Sequence, residues 1–255
     1  MSNPFYAPGE QRAEMVQALF ATIARRYDLI NDVQSFGLHR RWKRRLVAQA
    51  NAQPGQRALD ICCGTGDIAL ALAAQGADVV GLDFSAPMLA VAKSKVQSLK
   101  SIVLSPGSKV RGPESSDTNP QFVLGDAMKL PFADASFDIV TVGFGLRNLA
   151  SWETGLTEMV RVARPGGRLL VLDFGKPDNA VWRAIYFGYL RLIVPVFGLA
   201  FAGRADAYTY ILESLLHYPA QHGVAAKMRD LGLTGVRVIN FFAGAMSINV
   251  GERAS

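Results

Sequence analysis

The segment A-L-D-I-C-C-G-T-G-D (Ala58 to Asp67), followed by G-L-D (Gly81 to Asp83), constrains this chain more than any other feature. A short apolar run ends in glycines. A helix rich in Ala and Leu follows (Ile68 to Ala74), and a second apolar run (Asp78 to Asp83) ends on a carboxylate. Strand, tight turn, helix and strand predict parallel strands joined by crossovers, an α/β sheet with helices on both faces. Gly64 and Gly66 lack a Cβ, so a ligand can approach their backbone closely. Open α/β sheets bind ligands at the carboxyl ends of strands, near the switch in strand order. Asp83 ends its strand in position to accept hydrogen bonds from the two ribose hydroxyls of an adenosine. The turn alone does not choose the cofactor. A nicotinamide dinucleotide site expects G-x-G-x-x-G, and the third place here falls on Ala69, where alanine is sometimes allowed.

The rest of the chain continues the alternation. Ala13 to Ala24 has apolar residues at helical spacing (Met15, Leu19, Phe20, Ile23), whereas Tyr27 to Phe36 is mixed. A basic helix is predicted over His39 to Ala50. Another is predicted over Ser85 to Ser98, with Ser85 as N-cap and Pro87 in its first turn. Strands are expected at Gln121 to Leu124, Phe137 to Val142 and Arg168 to Phe174. The helix Trp152 to Ala163 lies between the last two and should stop at Arg164-Pro-Gly-Gly167. Helices near Tyr208 to Leu216 and over Ala220 to Leu231, then strands Val236 to Phe241 and Met246 to Val250, complete the reading. Residues 101–120 hold three prolines and five serines and read as a disordered surface insertion.

Half of the 255 residues are hydrophobic and 19% are charged, so a sizeable core is available and disorder of the whole chain is excluded. The formal net charge is +6, with a cluster at Arg40, Arg41, Lys43, Arg44 and Arg45. Such a run is either a solvated helix face or a contact for acidic lipid headgroups. No nucleic-acid motif accompanies it, and nucleic acid is not an expected partner. Cys62 and Cys63 are adjacent, which disfavours a disulfide between them, and no nearby histidine completes a metal site. A reducing, cytoplasmic setting is expected. The first twenty or so residues show no apolar signal core. Ala184 to Ala202 is nearly long and apolar enough to span a membrane. Arg191 lies within it, at a cost of about 2.5 kcal/mol or more at bilayer depth, and Pro195 should break it. It is read as a buried or substrate-facing helical segment.

Two further segments decide the cofactor. They are G-D-A-M-K-L-P-F (Gly125 to Phe132), with F-D-I-V (Phe137 to Val140) behind it, and V-A-R-P-G-G-R-L-L-V-L-D-F (Val162 to Phe174). In this order and spacing the four segments resemble the class I methyltransferases. That resemblance implies a Rossmann-like α/β fold with a mostly parallel seven-stranded sheet and S-adenosyl-L-methionine as methyl donor. Asp60 would then face the donor's ammonium group, directly or through water, or else cap the glycine loop.

The flanks narrow the resemblance. F-A-T-I-A-R-R-Y-D-L-I-N-D-V-Q-S-F-G-L-H-R-R-W-K (Phe20 to Lys43), T-V-G-F-G-L-R-N-L (Thr141 to Leu149), G-R-L-L-V-L-D-F-G-K-P (Gly167 to Pro177) and Tyr208 to Gln221 resemble the quinone C-methyltransferases of menaquinone and ubiquinone biosynthesis. The resemblance implies methyl transfer to a ring carbon of a prenylated demethyl quinol, menaquinone being favoured over ubiquinone. It implies cofactor contacts at Gly64, Thr65, Gly66, Asp83, Asp126, Ala127 and Gly143, where many relatives carry serine. It also implies catalytic roles for Arg147, Asn148 and Asp126 around a proton-accepting water, with Tyr27 and Asn31 closing over the site. Arginine is a poor base, so Arg147 is assigned to stabilising a developing oxyanion, against the alternative of a structural ion pair. Asn249 stands where relatives often have histidine, and no catalytic histidine is assigned there. One domain is expected, with an N-terminal helical segment admitting substrate (1–53), a cofactor core (54–177), a helical substrate cover (178–234) and C-terminal strands (235–255). A peripheral membrane contact is expected, and a homodimer is left open. The rivals are a cofactor-binding scaffold without activity and a methyltransferase acting on small molecules or lipids.

Overall fold

The computed structural model describes residues 20–103, 119–202 and 206–255. Most of the insertion expected at 101–120, and most of the helix expected over 13–24, lie outside the described residues. Helices α1 (Tyr27–Ser35) and α2 (Leu38–Ala50) precede β1 (Arg57–Ile61), α3 (Asp67–Ala73), β2 (Asp78–Asp83), α4 (Ala86–Val103) and β3 (Gln121–Leu124). Then come β4 (Phe137–Gly143), α5 (Trp152–Val162), β5 (Ala163–Phe174), α6 (Ala180–Ala202), α7 (Asp206–His217), α8 (Ala220–Asp230), β6 (Leu233–Phe241) and β7 (Met246–Arg253).

The strands form one seven-stranded sheet in the order β3-β2-β1-β4-β5-β7-β6. Pairings from β3 to β5 are parallel, and β7 runs antiparallel to both β5 and β6. The expected mostly parallel seven-stranded sheet is therefore present. The central strands are buried on both faces, which is why β1 and β4 are mostly apolar rather than alternating, with Asp60 and Thr141 as buried polar exceptions. Successive residues still diverge. Leu59 and Ile61 join one core cluster with Met159, Val224 and Met228, while Ala58 joins the other with Leu46, Val47, Ile68 and Leu72. The chain builds outward from β1 to β3, then returns to place β4 on the other side of β1. This leaves a crevice at the carboxyl ends of β1 and β4.

Four elements depart from expectation. Tyr27 to Phe36, mixed in pattern, is helical through Ser35 and ends on Phe36 and Gly37, both left-handed, at φ 50° and 73°. The helix Ala86–Val103 extends into the segment expected to be an insertion. β5 begins at Ala163, before Arg164-Pro-Gly-Gly167 rather than after it. The register shift between Phe137 and Ile139, with Gly166 at φ 73°, absorbs the Pro-Gly-Gly as an irregularity inside the strand. Helix α6 continues through Pro195, which was expected to break it. Among the described residues no helix is long and apolar enough to cross a membrane.

Candidate active site

After Ile61 the chain turns through Cys62 to Gly66 into α3. Cys63 N–H donates to Leu82 O at 3.0 Å, and Gly66 N–H donates to Cys63 O at 2.9 Å. Asp83 ties this turn to the end of β2. Its Oδ2 accepts Gly64 N–H at 2.8 Å and its Oδ1 accepts Ser85 N–H at 2.9 Å. Each carboxylate oxygen keeps a further lone pair for a ligand. Burial raises the Asp83 pKa against the pull of these backbone donors. Gly66 sits at φ 82°, and a Cβ there would lie 2.9 Å from Phe122 Cζ and 3.0 Å from Ala92 Cβ. Glycine is required by conformation and by space.

A cavity of about 310 Å³ opens over the turn, lined by Gly64, Asp83, Asp126, Ala127, Gly143 and Asn148, with Tyr27 and Phe144 at one side. Its wall carries two carboxylates and no lysine or arginine among the described residues. S-adenosylmethionine carries a sulfonium and an ammonium and no phosphate, and a wall with two carboxylates fits it. At Gly143 a Cβ would come within 2.4 Å of Ile68 Cδ1, so a serine here would require that side chain to move. Cys62 also lines the cavity, but burial pushes its thiol well up, so it is not a poised nucleophile. Both cysteines are free.

Three expected cofactor residues, Asp60, Thr65 and Gly66, are not on the cavity wall. Asp60 is 1% exposed and turns toward the α2 and α3 face. Its Oδ1 accepts the Thr141 hydroxyl at 2.7 Å, while Oδ2 is buried with no hydrogen-bond partner among the described residues. Burial pushes its pKa up to about 7, against the Thr141 bond and the charge of Lys43. The Ala69 backbone N–H also favours the charged form, as the capping reading of Asp60 requires, and a cationic group would reach this carboxylate only through water. Thr65 donates instead to Asp28 Oδ1 at 2.7 Å. Asp28 pairs with Lys95 at 2.6 Å, Lys95 with Asp67 at 2.7 Å, and Asp67 with Lys43 at 2.8 Å. This network clasps α1 and α2 to the glycine turn and to α4. Burial disfavours the Asp67 charge, but Lys43 and Lys95 outweigh it and draw its pKa down to about 2.

A second cavity, of about 490 Å³, shares Phe20, Tyr27 and Phe144 with the first. Its walls are mainly apolar and aromatic, including Trp42, Phe174, Trp182 and Tyr186. Arg147 lines this cavity and not the first, whereas its neighbour Asn148 lines the first. The Arg147 side chain is 5% exposed and paired with Asp173, itself 3% exposed. It also donates to Phe144 O at 2.8 Å and lies over the Phe174 ring, 4.6 Å from its centroid. Arg147 is thus half of a buried ion pair, the structural alternative, and it also borders the apolar cavity. Asn148 Nδ2 donates to Phe144 O at 3.1 Å, and Asp126 Oδ1 accepts Met128 N–H at 2.8 Å. Asn249 donates to Gln221 O at 2.8 Å and is buried within β7, a structural role.

The sequence reading missed the clasp (Asp28, Lys95, Asp67, Lys43), the partner Asp173, and the polar residues of the second cavity, Gln34, Ser35 and His39. A signal was present. Asn31, Ser35 and His39 recur at four-residue spacing, but the turn at Phe36-Gly37 interrupts the helix that carries it.

Residues 8–253 match the ubiE/COQ5 methyltransferase family. A demethylmenaquinone methyltransferase of Halalkalibacterium halodurans is 38% identical over 252 residues, covering 96% of this chain and 95% of that protein. One of Beutenbergia cavernae is 41% identical over 234 residues, covering 92% and 89%. Among solved structures, a SAM-dependent methyltransferase from Aquifex aeolicus is similar in fold, with a TM-score of 0.54 at 18% identity over 82% of this chain and 88% of that one. The sequence match spans nearly every described element, and the carboxylate-walled crevice agrees with it: the chain belongs to the ubiE/COQ5 methyltransferase family and is an S-adenosylmethionine-dependent methyltransferase.

Proposed function

We propose that this chain methylates a ring carbon of a prenylated demethyl quinol, demethylmenaquinol in the first instance. One observation carries the reading: the carboxylate-walled cavity meets a larger aromatic cavity along a shared wall of Phe20, Tyr27 and Phe144. The names of the curated relatives support the naphthoquinol ring. S-adenosylmethionine, when bound, supplies an electrophilic methyl group. The residues of the chain bind and orient. Asp83 accepts the ribose hydroxyls, Asp126 with Ala127 holds the adenine edge, and Gly64 leaves room for close backbone approach. Asp60 balances the ammonium through water. The aromatic walls hold the ring and exclude solvent, so that attack depends on alignment more than on acid catalysis. Arg147 stabilises the ring oxyanion as it develops. Asn148 and Asp126 position the water that takes the proton leaving the ring carbon, and Tyr27 closes the junction between the cavities.

The segments divide the work accordingly: residues 1–53 admit substrate, 54–177 hold the cofactor, 178–234 cover the ring, and 235–255 complete the sheet. The chain works in the cytoplasm against the inner face of the membrane. Exposed Leu29, Phe36, Ile185, Leu192 and Ile193 support that contact. Arg40, though exposed, is paired with Asp32 and Lys43 with Asp67, while Arg41, Arg44 and Arg45 are also exposed. The test is methyl transfer by the purified chain from labelled S-adenosylmethionine to demethylmenaquinol, the corresponding benzoquinol and phosphatidylethanolamine. Transfer to the naphthoquinol in preference to the others is expected, and transfer to the lipid alone would overturn the reading. Asp83→Ala should weaken S-adenosylmethionine binding by tenfold or more, on the order of one or two charge-assisted hydrogen bonds. Unchanged affinity by calorimetry would remove Asp83 from the site.

A further inference from the structure

The second cavity contains few polar groups, and the hydrogens shared by Ser35 and His39 can be assigned. Ser35 Oγ lies 2.6 Å from Asn31 O, a separation two oxygens tolerate only with a hydrogen between them, so Ser35 donates there. Its single hydrogen is then spent. The contact between Ser35 Oγ and His39 Nδ1, at 2.9 Å, must therefore be donated by Nδ1–H. The Asp32 carboxylate, 3.7 Å from Nδ1, favours the same tautomer. Nε2 is left as a bare acceptor on the opposite edge of a ring that lines the cavity, and among the described residues nothing hydrogen-bonds it. Burial, reinforced by the Lys43 and Arg40 charges, outweighs Asp32 and Asp67 and pushes the His39 pKa down to about 4, so the ring is neutral at physiological pH.

Few of the other polar groups can play the same part. Arg147 only donates, so it serves a carbonyl and a hydroxyl alike, and the amides of Asn31 and Gln34 carry donor and acceptor together, with Gln34 Nε2 the buried end without a partner among the described residues. Tyr186 and Tyr189 have given their hydrogens to Ala245 O and Gln34 O, and their phenol oxygens accept weakly. We propose that His39 is a specificity-determining residue that reads the oxidation state of the ring. Its Nε2 accepts the hydrogen of a ring hydroxyl, so the cavity takes the quinol and turns away the quinone, whose carbonyl would set lone pair against lone pair. A hydroxyl held this way shares its proton with nitrogen and pushes electron density toward the ring carbon to be methylated.

The inference rests on the quinol reading of this cavity, and redox-inert probes separate the two. 1-Naphthol offers a hydroxyl hydrogen, and 1-methoxynaphthalene has the same ring without one. Binding of each to the full chain, saturated with S-adenosylhomocysteine, is measured by fluorescence titration. The wild-type chain should prefer the naphthol by about tenfold, the worth of one hydrogen bond together with one lone-pair clash. His39→Leu should bind both equally. Ser35→Ala, which leaves the imidazole but frees its tautomer, should narrow the preference. Equal binding of the two probes by the wild type, or an undiminished preference in His39→Leu, overturns the role of His39. Failure of the wild type to bind either ring overturns the quinol reading itself, and the inference falls with it. The wild-type comparison stands if a variant fails to fold.

Discussion

Separating the buried pair Arg147–Asp173 should cost more stability than any other single polar change at the site, and it bears directly on what Arg147 does. Asp173 accepts from the guanidinium, from Arg147 N–H at 3.2 Å and from Phe174 N–H at 2.9 Å, with almost no solvent to take over if the cation leaves. Removing one partner of such a pair strands a charge and typically costs about 3–5 kcal/mol. For a chain of this length each kcal/mol is worth roughly 2–4 °C in Tm, so Arg147→Met should melt roughly 6–20 °C below wild type. Asp173→Leu should fall further, because it also strands two backbone N–H groups. The double variant should be less destabilised than the sum, since neither charge then remains. Turnover measured well below both transitions isolates the chemistry. If Arg147 also steadies the ring oxyanion, Arg147→Met should lose roughly a hundredfold or more in kcat among folded molecules, with S-adenosylmethionine affinity unchanged. Asp173→Asn keeps the guanidinium facing the cavity and should lose far less. An Arg147→Met variant that melts within about 2 °C of wild type would refute the buried-pair argument. One that melts early yet turns over normally would refute the oxyanion role and leave the pair purely structural.

Two further outcomes follow from the charges and the exposed surface. Asp60, with its pKa moved from 3.8 to about 7, holds a proton in the folded chain that the unfolded chain releases near pH 4. Its contribution to stability is therefore present at low pH and lost as pH rises through about 7. If the donor's ammonium faces this carboxylate, binding at pH 7 should expel about half a proton, seen as a buffer-dependent calorimetric enthalpy that Asp60→Asn abolishes. An enthalpy independent of buffer would exclude the contact. Flotation with anionic vesicles should carry the chain upward, and Leu29→Ser with Leu192→Ser, both exposed and outside the two cavities, should weaken that association without altering methyl transfer to a short-tailed quinol. Flotation insensitive to these changes would move the contact elsewhere.

What was legible in the sequence divides along physical lines. β1, its glycine turn, β2 and Asp83 were readable because their geometry is local: a turn that admits only glycine and a carboxylate one strand later leave little freedom. The Arg147–Asp173 pair was not readable from spacing. Arg147 follows the end of β4, Asp173 lies within β5, and the two meet only because Gly143 pairs with Leu172 in the sheet. Helix α1 escaped notice for a different reason. Periodicity detects a helix through contrast between an apolar core face and a polar outer face, but here the polar Asn31, Gln34 and Ser35 line a cavity beside Tyr27 and Ile30, while Leu29 is exposed. The contrast is blurred where the helix meets the cavity. Pro195 and Arg164-Pro-Gly-Gly167 misled in the opposite sense. Local rules call for a break at each, yet α6 runs on through Pro195, and β5 continues because its pairing with β4 outweighs the loss of a few backbone hydrogen bonds. The failures of local reading at α1 and at Arg147 coincide with the walls of the aromatic cavity. Departures from local rules gather where side chains answer to a cavity and to partners distant in the sequence, Asp173 among them, rather than to their own helix or strand.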